Sequence, residues 1–114
     1  MGYREVEFFL GYAMTEREVE ECLERHGGTP EGVPAGALIE DKANAVLEAV
    51  RLNARVSRVF SESGEPDTFV LRVRRFMVQP YETSPQNRVS ETERDKRIKA
   101  RLGVTGPFVF QAFA

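Results

Sequence analysis

Residues 4–12, REVEFFLGY, alternate between apolar and polar positions. Val6, Phe8, Leu10 and Tyr12 fall on one face and Glu5, Glu7 and Phe9 on the other, the period-two pattern of a half-buried strand. The period then lengthens to that of a helix. Thr15 stands as an N-cap with Glu18 three residues on, a capping box, and Met14 and Val19 are spaced to staple the entry. Val19, Cys22, Leu23 and His26 share one face before Gly27 and Gly28 end the run, so 15–26 is predicted helical. The Gly- and Pro-dense stretch 27–37 reads as a surface connection, its composition also suiting a lid or rim. A second helix is predicted over 38–53, burying Ile39, Ala43, Val46, Leu47 and Val50. Its start is open between Pro34 in the first turn and Asp41 as the cap.

ARVSRVF, 54–60, and TFVLRVRRFMV, 68–78, flank a Gly/Pro/Asp turn and are predicted to form a hairpin. Pro80 and Pro85 stop the second of these from continuing as a central strand. Ser90 and Glu93 are spaced as another capping box, opening a polar helix that Gly103 stops. That helix offers only Ile98, Leu102 and Ala100 for burial, and its Glu93–Arg97 and Asp95–Lys99 spacings suit surface pairs. GPFVFQAFA closes the chain as an aromatic strand, Phe108 and Phe110 on one face, Val109 and Phe113 on the other. With the first two helices merged into one crossover the order is βαββαβ. Right-handed crossovers then place the strands 4-1-3-2 with the helices on one face. The expectation is an α+β, ferredoxin-like sandwich in a single domain over residues 1–114.

Composition narrows the class. An apolar share of 41% with 30% charged residues belongs to a globular chain, and no apolar run is long enough to span a membrane. The start lacks a signal peptide's layout. Cys22 alone excludes an internal disulfide and leaves too few soft ligands for structural zinc, so a reducing, cytoplasmic compartment is expected. No metal or cofactor is implied. The net charge of −2 hides an imbalance: residues 1–50 hold four Lys/Arg against eleven Asp/Glu, residues 51–114 twelve against seven. Either the halves neutralise each other on packing or the second half carries a basic face.

The arginines of FVLRVRRFMV are the sharpest candidates for function. On the predicted sheet the third strand lies against the first, and simple alternation points Arg72, Arg74 and Phe76 to the open face beside Glu5, Glu7 and Phe9. There the reading is a charge ladder coupling Glu7 to Arg74. Arg75 breaks the alternation, which favours a bulge at Arg74–Arg75 that returns Phe76 and Val78 to the core. The same face suits self-association, so the expectation is a small binding or assembly module, a homodimer through its sheet. Two alternatives stand beside it. One is a small-molecule enzyme or ligand-binding protein of the dimeric α+β barrel type, with His26, Tyr81 and Glu82 as its pocket. The other is an RNA-binding module using Phe9, Phe76, Arg55, Arg72 and Arg74, disfavoured by Glu5, Glu7 and the overall charge. The basic end of residues 90–102 also suits an acidic partner protein. Cys22 and His26, one turn apart on the apolar stripe, read as structural.

Overall fold

In the computed structural model, describing residues 6–60, 64, 66–79, 81–84, 87 and 89–112, the capping box opens the first helix as its spacing requires. The Thr15 hydroxyl accepts the Glu18 N–H at 3.2 Å, and the Thr15 N–H donates to the Glu18 carboxylate at 3.2 Å. The elements run β1 (Val6–Met14), α1 (Glu16–Arg25), α2 (Ile39–Ala49), β2 (Arg55–Val59), β3 (Thr68–Val78), α3 (Glu93–Leu102) and β4 (Phe108–Ala112). Together they make an α+β structure with a four-stranded antiparallel sheet and three helices. The sheet order is β2-β3-β1-β4, which counted from the β4 edge is 4-1-3-2.

Three boundaries differ from the sequence reading, each for a local reason. Leu38, with no side-chain cap, precedes α2 in place of Pro34 or Asp41. The helix stops at Ala49 because Arg51 turns left-handed (φ 56°) while the Leu52 N–H closes back on the Leu47 carbonyl. Residues 52–54 are thereby released to lead into β2. At α3 the capping box is Thr92 with Asp95, two residues later than Ser90 with Glu93, and Gly103 ends the helix in the left-handed conformation predicted for it (φ 66°).

The core lies between the helices and one face of the sheet. Tyr12, Met14, Val56, Phe69, Leu71 and Val73 from the strands meet Val19, Cys22, Ala43, Leu47, Ile98 and Leu102 from the helices. The outer edge of β2 is held by a side chain in place of a strand. Asn44 of α2 accepts the Val56 N–H at 2.7 Å and donates to the Val56 carbonyl at 2.9 Å, closing that edge to further pairing.

The β1–β3 register contains one irregularity. Leu10 stands opposite Arg74 and Gly11 opposite Arg72, so Val73 is an extra residue in β3. Before it Phe69, Leu71 and Val73 face the helices; after it Arg74, Phe76 and Val78 do. The bulge favoured by the sequence exists, one position earlier than expected. β3 also approaches β1 closely there: a Cβ on Gly11 would sit 1.9 Å from the Leu71 carbonyl oxygen. Only a residue without a side chain fits against that backbone. Gly11→Ala is therefore expected to lower stability by about 1–3 kcal/mol, the usual range for forced overpacking. The urea unfolding midpoint measures it, and an unchanged midpoint would show that the strands can separate locally at no cost.

Candidate functional site

The bulge sends the three arginines of β3 to three different partners. Arg72, ahead of it, lies on the open face with its guanidinium over the Phe9 ring, 3.9 Å from the centroid. Burial holds its pKa below the ordinary arginine value, nearby Arg55 adds to that, and Glu7 opposes it. Arg55 is its direct cross-strand neighbour on β2. Arg75, past the bulge, faces the same side and meets Glu7 at 3.1 Å, largely in solvent. Such an exposed pair contributes roughly 0–1 kcal/mol.

Arg74 turns to the helix side. It grips Asp95 with Nε and Nη2, at 3.1 and 2.8 Å, and donates to the Ser90 carbonyl at 2.6 Å. The expected ladder from Glu7 to Arg74 is thus replaced by Glu7 to Arg75. Phe76 likewise leaves the open face and packs with Phe8 and Phe110, ring centroids 6.3 and 5.2 Å away. Of the six residues proposed for the open face, Glu7, Phe9 and Arg72 are brought together, Arg74 and Phe76 are not, and Glu5 lies outside the described residues.

Asp95 is wholly buried, its side chain 0% exposed. Burial raises its pKa, but hydrogen bonds from the Thr92 backbone, Arg74 and the Thr92 hydroxyl outweigh that and hold it below the ordinary aspartate value. Arg58 forms a second clamp of the same kind. It meets buried Glu40 of α2 at 2.7 Å and Asp67 at 3.2 Å, and its hydrogen bonds lower the Glu40 pKa against burial. Sequence reasoning missed both acids, although a signal was present. Asp95, Ile98 and Leu102, like Glu40, Ala43 and Leu47, are spaced i, i+3, i+7, which puts a carboxylate on the buried stripe of each helix. A charge at such a position requires a partner.

Eight arginines, the three of β3 among them, converge on two adjoining grooves. β2 begins at Arg55, opposite Arg72, and β3 runs six residues beyond that point. In the resulting notch an open groove of about 590 Å³ is lined by Arg55, Arg72, Arg74 and Arg75, with Phe9 and Asn53. A second groove of about 320 Å³ lies between the turn after α2 and α3, lined by Arg51, Arg94, Arg97 and Arg101. Asn53 borders both. Among the described residues Arg51, Arg55, Arg94, Arg97 and Arg101 are exposed and form no ion pair. The surface changes sign past Arg55, where a third groove carries Asp41 and Glu48 of α2.

The residues suggested as a pocket do not line these grooves. His26 ends α1, its Nδ1 donating to the Cys22 carbonyl at 2.9 Å. Tyr81 stands 75% exposed in the loop after β3, and the Glu82 carboxylate accepts the Gln79 N–H at 3.1 Å. Cys22 is buried, and burial raises its thiol pKa despite Arg25 nearby. Among the described residues no three His, Cys, Asp or Glu side chains are placed to hold a metal, and no helix is long and apolar enough to cross a membrane. In comparison with known proteins, no family model matches the chain, and neither does any curated protein or solved structure.

Asp95→Ala should cost about 3 kcal/mol, combining a cap worth roughly 1 with charged hydrogen bonds worth roughly 1.5–3. Because the Asp95 and Glu40 pKa values are depressed on folding, their contribution is complete above the unfolded values near 4 and is lost as pH falls through the folded ones. Stability of the native protein should therefore drop as pH falls below about 4, and less steeply in Asp95→Ala, in denaturant titrations at each pH. For Cys22, a thiol reagent near neutral pH should label the native protein far more slowly than the unfolded chain. Equal rates would mean an accessible thiolate.

Proposed function

We propose that this protein is a small binding module for an anionic ligand, built on a ferredoxin-like arrangement of its sheet and helices. The arrangement is supported by the strand order and by the helices that supply the core from one face of the sheet. The observation that carries the function is the gathering of eight of the chain's thirteen arginines on two grooves that meet at Asn53. Five of those eight are exposed and, among the described residues, outside any ion pair. In a protein of net charge −2 this segregation makes a local positive field that total charge conceals.

The geometry favours this reading over the other two. Self-association through the open face needs apolar area, yet Arg72 already covers Phe9, Val70 is 7% exposed, and Met77, 43% exposed, stands opposite Glu7. The face also carries Arg55, Arg72 and Arg75 against Glu7, so copies stacked face to face would bring like charges together. A pocket enzyme needs converging acid and base groups, and neither His26 at the end of α1 nor Tyr81 and Glu82 in the loop after β3 lines a groove described above.

Heparin chromatography tests the reading directly, since a net negative protein has no bulk charge to hold it there. The protein should be retained at physiological salt and run as a monomer in light scattering. Arg55→Gln combined with Arg97→Gln should elute markedly earlier while its thermal unfolding stays unchanged. Passage of the native protein straight through the column at low salt would overturn the proposal.

A further inference from the structure

Building on the anion-binding reading, we propose that the two grooves form one track for single-stranded nucleic acid, with phosphates on the α3 arginines and a base stacked where Arg72 lies over Phe9. Three features of the surface narrow the ligand to this class.

The first is the spacing of charge. Arg94, Arg97 and Arg101 succeed one another at i, i+3 and i+7 beside the second groove. Each step is about 4.5–6 Å along a helix axis, the scale of a polymer's repeating charges. The groove shares Asn53 with the first one, so the row continues toward Arg55 and Arg75 across a neutral amide able to donate and accept. A single small anion would occupy one groove and leave the other unused.

The second is the type of cation. Every basic residue lining the grooves is arginine, and the chain's three lysines, Lys42, Lys96 and Lys99, line neither. Guanidinium takes two phosphate oxygens at once and stacks through its plane on a base, whereas ammonium is a point charge.

The third is the stacked pair in the first groove. The Arg72 guanidinium lies over the Phe9 ring, 3.9 Å from its centroid, and both side chains line the first groove. Bases stack on arginine planes and aromatic rings in this way. The carboxylates of an acidic protein segment have no comparable group to place there. A duplex keeps its bases inside and is too stiff to follow two concave grooves around a strand end, so the strand must be single.

The test is fluorescence anisotropy with labelled oligouridylate and oligothymidylate of three to twelve nucleotides, over a salt series. Affinity should climb with length until both grooves are spanned and then level off. Arg97→Gln with Arg101→Gln should reduce the log–log salt slope by about 1.4, two contacts at roughly 0.7 each for single strands. Phe9→Leu should weaken binding roughly tenfold by loosening the stack, with the slope unchanged. Thermal unfolding of each variant, matched to the native protein, confirms that binding alone has changed. Heparin retention without any rise of affinity with oligonucleotide length would overturn the track and leave the anion-binding reading standing. Equal binding of a duplex, or equal competition by polyglutamate of matched charge, would overturn the assignment to single-stranded nucleic acid. Loss of heparin retention would remove both.

Discussion

One extra residue in β3, Val73, sets the direction of every side chain beyond it. A strand presents alternate residues to alternate faces, so a single insertion exchanges the faces for the rest of its length. Here it moves Arg74 beneath α3, brings Phe76 and Val78 to the same side as Phe8 and Leu10, and sends Arg75 out to Glu7. Gly11 is the other half of this device. Its missing side chain lets the β3 backbone come in where the register shifts.

The direction given to Arg74 matters because α3 has little else to hold it. Its buried residues are Asp95, Ile98 and Leu102, too small an apolar surface for a firm dock. The Arg74–Asp95 clamp supplies what the apolar face lacks, and it does so at the helix N-terminus, where a carboxylate also interacts favourably with the dipole. Tyr12 reinforces that end through its hydroxyl, which donates to Glu91, while the Lys99 ammonium, in the last turn of α3, lies 4.8 Å from its ring centroid. On α2, Glu40 and Arg58 repeat the arrangement. Both α2 and α3 are thus fixed at the first turn by an arginine from the sheet.

These clamps also explain the charge distribution. Among the described residues the two halves of the chain neutralise each other at points such as Glu40–Arg58 and Glu7–Arg75. Arg74 and Arg58 spend their charge on structure. Around Asn53, Arg51, Arg55, Arg94, Arg97 and Arg101 form no ion pair among the described residues, although Arg55 shares the next groove with Asp41 and Glu48 of α2. The positive charge of this surface is therefore what is left over after the fold has taken what it needs.

Much of the fold was legible in the sequence because it rests on local chemistry. Thr15 with Glu18 opens α1, Gly103 ends α3, and the alternation in VEFFLGY and TFVLRVRRFMV marks two strands, since capping and side-chain period act within a few residues. The candidate surface was far less legible. The break of pattern at Arg74–Arg75 announced a bulge, but whether Val73 or Arg74 is the extra residue depends on β1, sixty positions away, and on the space that Gly11 leaves. Asp95 looked like a surface partner of Lys99 because nothing nearby in sequence demands its burial; its partner lies on a strand reached only after the chain has folded back. The meeting of Arg51, Arg55 and the α3 arginines at Asn53 likewise joins segments that are remote along the chain. Local propensity and periodicity decide elements, whereas the partner of a charge is chosen by distance in space, and that is set only by the tertiary packing.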